Sequence, residues 1–375
     1  MNKSANLLEK VFMPILLLFH LTGMETMPEP HSFNGNKLFR FVWNFPNYAF
    51  KGILFLVVVT QIMWLIFVSS TQSDCALFII IILQVSAYIS LLRSREKIRL
   101  LLSKLSKISR ILLSSRRWRF LRISVLAYCI IMFSLHINHQ MTYFLTKFRE
   151  YTHYAIYSSA SVPEELKVPF SFIIGIFWES TTAAMFCIGG SFIGYYCFVC
   201  ICIKSCITKF VLKTEILISQ GDYHSILSIH EELSQVMGLA NEFLSFSAFI
   251  NVLSSMSGLF AFSYSVVFYP SDDRTVYFMM FQGIIQSLMS LILLMIPAAG
   301  CNRALILAQE TINSLPGWLP QHRKLLKMCI SQRHSKTFPL TLWNIYVIDE
   351  SLLISAFGTL LTYGFLVGNI NIAKK

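Results

Sequence analysis

Five small or polar residues in the last apolar stretch of this chain share one helical face: Ser351, Ser355, Gly358, Thr362 and Asn369. At about 100° per residue they fall within about 40° of one line, with Thr359 at its margin. Phe365 and Leu366 flank that line and interrupt it with one apolar level. Residues of these types do no covalent chemistry in this pattern. They can line a water path through an apolar medium, with the apolar level as a gate that closes by dewetting and the amide of Asn369 as a polar ring beyond it. The same stripe suits a small-residue packing seam inside a single bundle. A second seam lies on roughly the opposite face, where Gly364 and Gly368, spaced GxxxG after Tyr363, allow a neighbouring helix to approach closely.

Other reactive groups are few. Glu179 is the one charged residue inside an otherwise uncharged stretch, and an intramembrane acid must be paired, hydrated or protonated. It could accept hydrogen bonds from a hydroxylated or cationic ligand, or sit solvated at the outer edge. Cys197, Cys200, Cys202 and Cys206 have a spacing that could suggest zinc, but they lie in the apolar run FVCICIKSC. Buried thiols or reversible acylation fit that run better than metal ligation. No metal-ligand set, paired acid–base constellation or nucleophile motif appears. The chain is therefore read as a non-enzyme with no cofactor and no metal.

The elements that position these residues are set by charge. Hydrophobic residues make up 55% of the chain and charged ones 13%, where a soluble domain carries roughly a quarter. Seven stretches are almost free of charge: 52–73, 75–92, 123–146, 168–203, 243–271, 275–302 and 351–373. Each can cross ~30 Å of hydrocarbon as a helix. Of the 31 Lys and Arg, only Lys147, Arg149, Lys167, Arg274, Lys374 and Lys375 fall on one side. The positive-inside rule then puts the N-terminus in the cytosol and the C-terminus outside. The expected fold is an all-α integral membrane protein with a cytosolic N-terminal segment, 1–48, and a seven-helix membrane domain, 49–375. The net charge of +12 is read as topology signal and contact with the anionic inner leaflet of the lipid bilayer, not as nucleic-acid binding. The apolar run from Val11 to Thr22 is expected to form a short interfacial helix rather than a cleaved signal, since Glu9 dilutes its basic flank and Pro14 interrupts it.

The cytosolic segments carry helical stripes: Ile98, Leu101, Leu105, Ile108, Leu112 in one, and Ile226, Ile229, Leu233, Val236, Ala240, Phe243 in the other. Their alternating steps of three and four predict extensions of the spans that pack together beneath the membrane as an anchor region. Gly221-Asp222 and Pro316-Gly317 with Pro320 are expected to break helices. The stretch 168–203 is read as one long tilted helix rather than two crossings.

The segment Thr362-Tyr363-Gly364-Phe365-Leu366-Val367-Gly368-Asn369-Ile370 resembles the signature of arthropod gustatory receptors, in which Thr-Tyr precedes five mostly apolar residues and then Gln-Phe. Asn369 and Ile370 stand where that family has Gln and Phe. The approach Leu342–Ser351 and Gly358 are also similar, and a weaker likeness covers the whole chain in length, span spacing and inverted topology. The resemblance implies a ligand-gated, non-selective cation channel in the plasma membrane, acting in taste-type sensory transduction. It implies a homo- or heterotetramer of like subunits, with Thr362, Phe365, Leu366, Asn369 and Ile370 at the pore and Tyr363, Gly364 and Gly368 in helix packing. It further implies a pocket for a small organic, tastant-like ligand in the outer half of each subunit. His136, Trp178, Glu179, Tyr264, Gln282 and Gln286 are the candidates there, since aromatic faces with a few directed polar groups suit such a ligand. The alternative is a membrane transporter or a seven-helix signalling receptor without an intrinsic pore. Against these stand the missing internal repeats, the inverted charge bias, and the absence of Asp-Arg-Tyr after the third stretch and of Asn-Pro-x-x-Tyr in the seventh.

Overall fold

The computed structural model describes residues 7–24, 37–67, 72–145, 163–268, 274–334, 338–356, 358–359 and 362. They form helices α1 (Leu7–Leu21), α2 (Lys37–Phe67), α3 (Gln72–Arg93), α4 (Arg95–Leu112), α5 (Ser115–Leu145), α6 (Glu164–Ser219), α7 (Tyr223–Phe268), α8 (Arg274–Trp318) and α9 (Arg323–Cys329). A two-stranded hairpin follows, β1 (Thr341–Leu342) and β2 (Tyr346–Val347), and then a last helix, α10, that is helical at 350–356, 358–359 and 362. In their described residues, the seven uncharged stretches fall on α2, α3, α5, α6, α7, α8 and α10. Among the described residues, four helical segments are long and apolar enough to cross a membrane: Arg116–Asn138, Ala183–Ser219, Tyr223–Tyr264 and Tyr277–Trp318. A fifth is added if α3 and α4, bent by 62° about Ser94, count as one span.

The stretch 168–203 lies in a single helix. α6 runs for 56 residues, about 84 Å at 1.5 Å per residue, far more than the hydrocarbon thickness. It is the hub of the bundle, and every residue from Ser191 to Cys200 is buried. Cys197, Cys200, Cys202 and Cys206 all face this core, so the thiols are packing groups closed to acylation while the bundle holds. Gly190 and Gly194 let α5 cross α6 closely. A side chain at Gly194 would collide with the Tyr128 ring, and the Tyr128 hydroxyl donates to the Gly190 carbonyl at 2.7 Å.

The N-terminal helix is more than an interfacial one. Leu8, Val11, Phe12, Ile15, Leu16 and Phe19 are all buried, while Met13, Leu17 and Leu21 on the far face stay exposed. Phe12 and Phe19 pack on the buried Tyr195 of α6 at 6.1 and 5.5 Å between ring centres. The Tyr88 hydroxyl of α3 donates to the Thr22 carbonyl just past the helix end. The aromatic surface of α6 thus draws α1 into the bundle. α2 already begins at Lys37, inside the segment read from the sequence as N-terminal.

At the charge-rich end the two stripes meet. Ile98, Leu101, Leu105 and Ile108 of α4 are buried, as are Leu233, Val236 and Ala240 of α7. Lys97–Glu242 (2.6 Å), Lys104–Gln235 (3.1 Å) and Lys107–Glu232 (2.5 Å) flank this seam. As one partner's number rises the other's falls by the same step, which is antiparallel helix pairing. Gly221, at a φ of 72°, ends α6, and Asp222 accepts the Ser225 N–H at 3.1 Å to cap α7. α8 continues through Pro316-Gly317 and stops at Trp318, before Pro320.

Candidate functional site

The last helix divides into two faces. Ser351, Ile354, Ser355, Gly358, Thr359 and Thr362 are exposed, whereas Leu352, Leu353 and Ala356 are half-buried. At about 100° per residue the exposed set fills one arc and the half-buried set the other. Leu352 and Leu353 pack against the core. The polar stripe is therefore turned away from its own bundle over all its described members. Its hydroxyls are satisfied locally: Thr359 Oγ1 donates to the Ser355 carbonyl at 2.7 Å and Thr362 Oγ1 to that of Gly358 at 2.8 Å. Such bonding leaves the hydroxyl oxygen's lone pairs to face outward. Tyr363, Gly364, Phe365, Leu366, Gly368, Asn369 and Ile370 lie outside the described residues.

The root of this helix is held differently. Residues 338–348 form a hairpin whose strands pair Thr341 with Val347 and Leu342 with Tyr346. Asn302 of α8, buried at 6% exposure, threads it: Nδ2 donates to the Leu340 and Ile348 carbonyls at 2.9 and 2.8 Å, and Oδ1 accepts the Leu340 N–H at 2.7 Å. Asn241 of α7 holds the turn. Its Oδ1 accepts the backbone N–H and the hydroxyl of Thr341, both at 2.8 Å, and its Nδ2 donates to Asn344 at 2.9 Å. Trp343 and Asn344 both take positive φ, 50° and 56°, a region a tryptophan rarely adopts. Trp343 is held there by its N–H, which donates to the Ser245 carbonyl at 3.1 Å, and by ring contacts to Phe246 and Phe249. Beyond the hairpin, Asp349 caps α10 through the Leu352 N–H at 2.8 Å, and Glu350 lies 3.6 Å from Arg303. Both acids thus serve the root of the helix.

Of the ligand candidates, the structure brings His136 and Gln282 to one place. The imidazole of His136 on α5 stacks on Phe186 of α6, with ring centres 4.6 Å apart and planes at 18°. Gln282 of α8 is buried and donates to the Leu135 carbonyl, one residue before His136, at 3.3 Å. Its Oε1 is buried with no hydrogen-bond partner among the described residues, so one directed acceptor is left over at the α5–α8 contact. Gln286 lies one turn further along α8 and is half-buried. Tyr264 stacks on Phe260, with ring centres 6.0 Å apart. That is a different face of α7 from Phe262, whose ring covers Gly283 of α8. Trp178 and Glu179 fall on α6, but their side chains are outside those described.

Sequence reasoning passed over a polar thread between α3, α6 and α7. Gln84 donates to Ser254 at 2.5 Å, Ser247 donates to the Ala87 carbonyl at 3.3 Å, and Asn251 lies over Gly189. It also passed over Asn302 and Asn241. The available signal was an uncharged amide inside or at the end of an apolar stretch, which is costly unless it has a partner.

No family model and no curated protein matches this chain. Among solved structures, the insect olfactory receptor OR5 from Machilis hrabei is similar over 96% of this chain and 98% of its own, with a TM-score of 0.72 at 15% identity. The same receptor in complex with eugenol is similar over 98% and 100%, with a TM-score of 0.74 at 14% identity. The chain thus shares the all-helical fold of an insect chemoreceptor, and with its apolar spans it is a multi-pass membrane protein.

Proposed function

We propose that the chain is one subunit of a ligand-gated, non-selective cation channel of the chemoreceptor kind, gustatory in type and placed in the plasma membrane. Four like subunits surround a pore lined by α10 of each. The observation that carries this reading is the outward-turned stripe from Ser351 to Thr362, which leaves a polar face for a shared water path while Leu352 and Leu353 hold the subunit's own side. Phe365 and Leu366 form the apolar gate, Asn369 the polar ring and Ile370 the apolar level outside it. Gly364 and Gly368, with Tyr363, pack α10 on its neighbour. The absence of a charged ring on the stripe fits weak discrimination among small cations.

A small organic ligand enters the outer half of the subunit. His136, Gln282 and Gln286 line its site, with Trp178, Glu179 and Tyr264 as further candidates. The stacked His136 and the spare acceptor of Gln282 suit an aromatic ligand with a hydroxyl. The complex of the structurally similar receptor with eugenol, a small phenol, supports that class. Binding opens the pore only through greater affinity for the open arrangement.

The test is whole-cell current in expressing cells for the wild type, Leu366→Ala and Asn369→Ala. A loosened gate conducts without ligand, so a standing cation current is expected in the variants. Silence from both, with surface expression verified, removes the pore from α10 and returns the protein to the transporter and signalling classes.

A further inference from the structure

A cavity of about 530 Å³ opens between the far end of α8 and the short helix α9, with Gln309, Asn313 and Ser314 on one wall and Arg323, Lys327 and Ser331 on the other. Its volume is in the range of small-molecule sites, but its lining is polar and basic. Arg323 and Lys327 stand one helical turn apart on the same element and make no ion pair among the described residues. Among the described residues no carboxylate lines the cavity. Glu310 is the only acid in the segment 303–336, against six Lys and Arg: Arg303, Arg323, Lys324, Lys327, Arg333 and Lys336.

The walls are fixed before any ligand arrives. Leu326 and Ile330 are buried and anchor α9. His322, immediately before Arg323, packs on Tyr223 of α7 at 4.9 Å between ring centres. Asn313 spends its side-chain oxygen on Gln309 at 3.3 Å, which leaves its NH2 group as a donor. Two cations, an amide and the Ser331 hydroxyl thus line one cavity with no anion among the described residues to satisfy them.

We propose that this cavity binds a phosphate-bearing polyanion of inositol-polyphosphate size. A guanidinium and an ammonium one turn apart match phosphate oxygens on adjacent ring positions, with the neutral donors completing the shell. The walls from Gln309 to Gly317 lie about 9–21 Å further along α8 than Arg303, the first charge after the apolar stretch, at 1.5 Å per residue. A headgroup held in the bilayer would have to span that distance, which favours a soluble anion over a lipid. The site is remote from the ligand candidates on α5 and α8 and independent of any pore.

The experiment uses the full-length protein reconstituted in phosphatidylcholine nanodiscs, with myo-inositol hexakisphosphate as probe and isothermal titration as readout. Saturable binding is expected, roughly tenfold weaker in Arg323→Gln or Lys327→Gln. It should be retained in Arg323→Lys and unchanged in the equal-charge control Arg116→Gln. A second arm places phosphatidylinositol bisphosphate in the nanodisc and counts retained lipid by native mass spectrometry. Lipid retention that is lost in Lys327→Gln, without binding of the free probe, keeps the phosphate site and makes the lipid its source. No saturable binding in either arm, or equal loss in the control, overturns the proposal. Neither readout needs a current, so its failure is separable from failure of the channel reading.

Discussion

The hairpin at the root of the last helix and the helix it launches are adjacent in sequence and held by different forces. The root is fixed by directional bonds: the side chain of Asn302 alone makes three, in a site closed to water, and Asn241 adds three more. The shaft rests on Leu352 and Leu353, both half-buried, and leaves its polar face open. Directional bonds of short reach allow one arrangement, while a shallow apolar contact tolerates tilt at small cost. A helix built this way can pivot without losing its register on the bundle, which is what a gate at its far end requires.

Asn302→Ala should show the largest effect. It strips the partner from the Ile348 carbonyl and the Leu340 N–H, each costing about 1–3 kcal/mol, while the Leu340 carbonyl keeps the Ile348 N–H at 3.1 Å. A fall in thermal stability of about 3 kcal/mol or more is expected, with loss of surface protein. Asn302→Asp keeps the acceptor and loses both donors, so it should retain little of that stability. A wild-type melting curve for Asn302→Ala would mean that the hairpin is held by something else.

Leu352→Ala with Leu353→Ala tests the shaft. About 1 kcal/mol of stability should be lost per residue, because each is only partly buried. Protein should reach the surface, and the closed state should weaken, read as raised resting current. If this pair abolishes expression as Asn302→Ala does, root and shaft are not distinct.

The platform on which the root docks should respond less. Lys107→Gln removes an ion pair whose lysine is 69% exposed, so the change in melting temperature should correspond to less than about 1 kcal/mol and vanish at high salt. Asp222 should give the smallest effect. Donation from Ser225, first by its side chain and then by its backbone N–H, holds this carboxyl below its usual range, with a smaller contribution from His224. A depressed folded-state value stabilises the fold above the ordinary carboxylate range, and the gain is lost as pH falls through the folded value. Acid titration of thermal stability should therefore show a slightly smaller drop in Asp222→Asn than in the wild type.

Much of the fold could be read from periodicity and charge. The stripe from Ile98 to Leu112 and that from Ile226 to Phe243 lie where their spacing put them, and the helix break at Gly221-Asp222 and the single long helix through 168–203 follow local rules. The N-terminal helix was legible as a helix but not as a member of the bundle, because its stripe is equally suited to lipid and to the face of Tyr195. In the candidate site, the two-faced character of 351–362 followed from residue type and helical period. The meeting of His136 with Phe186 and of Gln282 with the Leu135 carbonyl could not, because each joins helices far apart in sequence.

The sequence by itself determined the helices, their apolar lengths and the polar stripe on the last of them, since each depends on residues within a few turns of one another. Only the tertiary structure decided that this stripe faces away from its own bundle, that Asn302 and Asn241 pin its root, and that Arg323 and Lys327 share a cavity. Helical period fixes which residues lie on one face. What that face meets depends on packing against segments distant in sequence, and a pattern of residue types does not encode which of several suitable surfaces it will be.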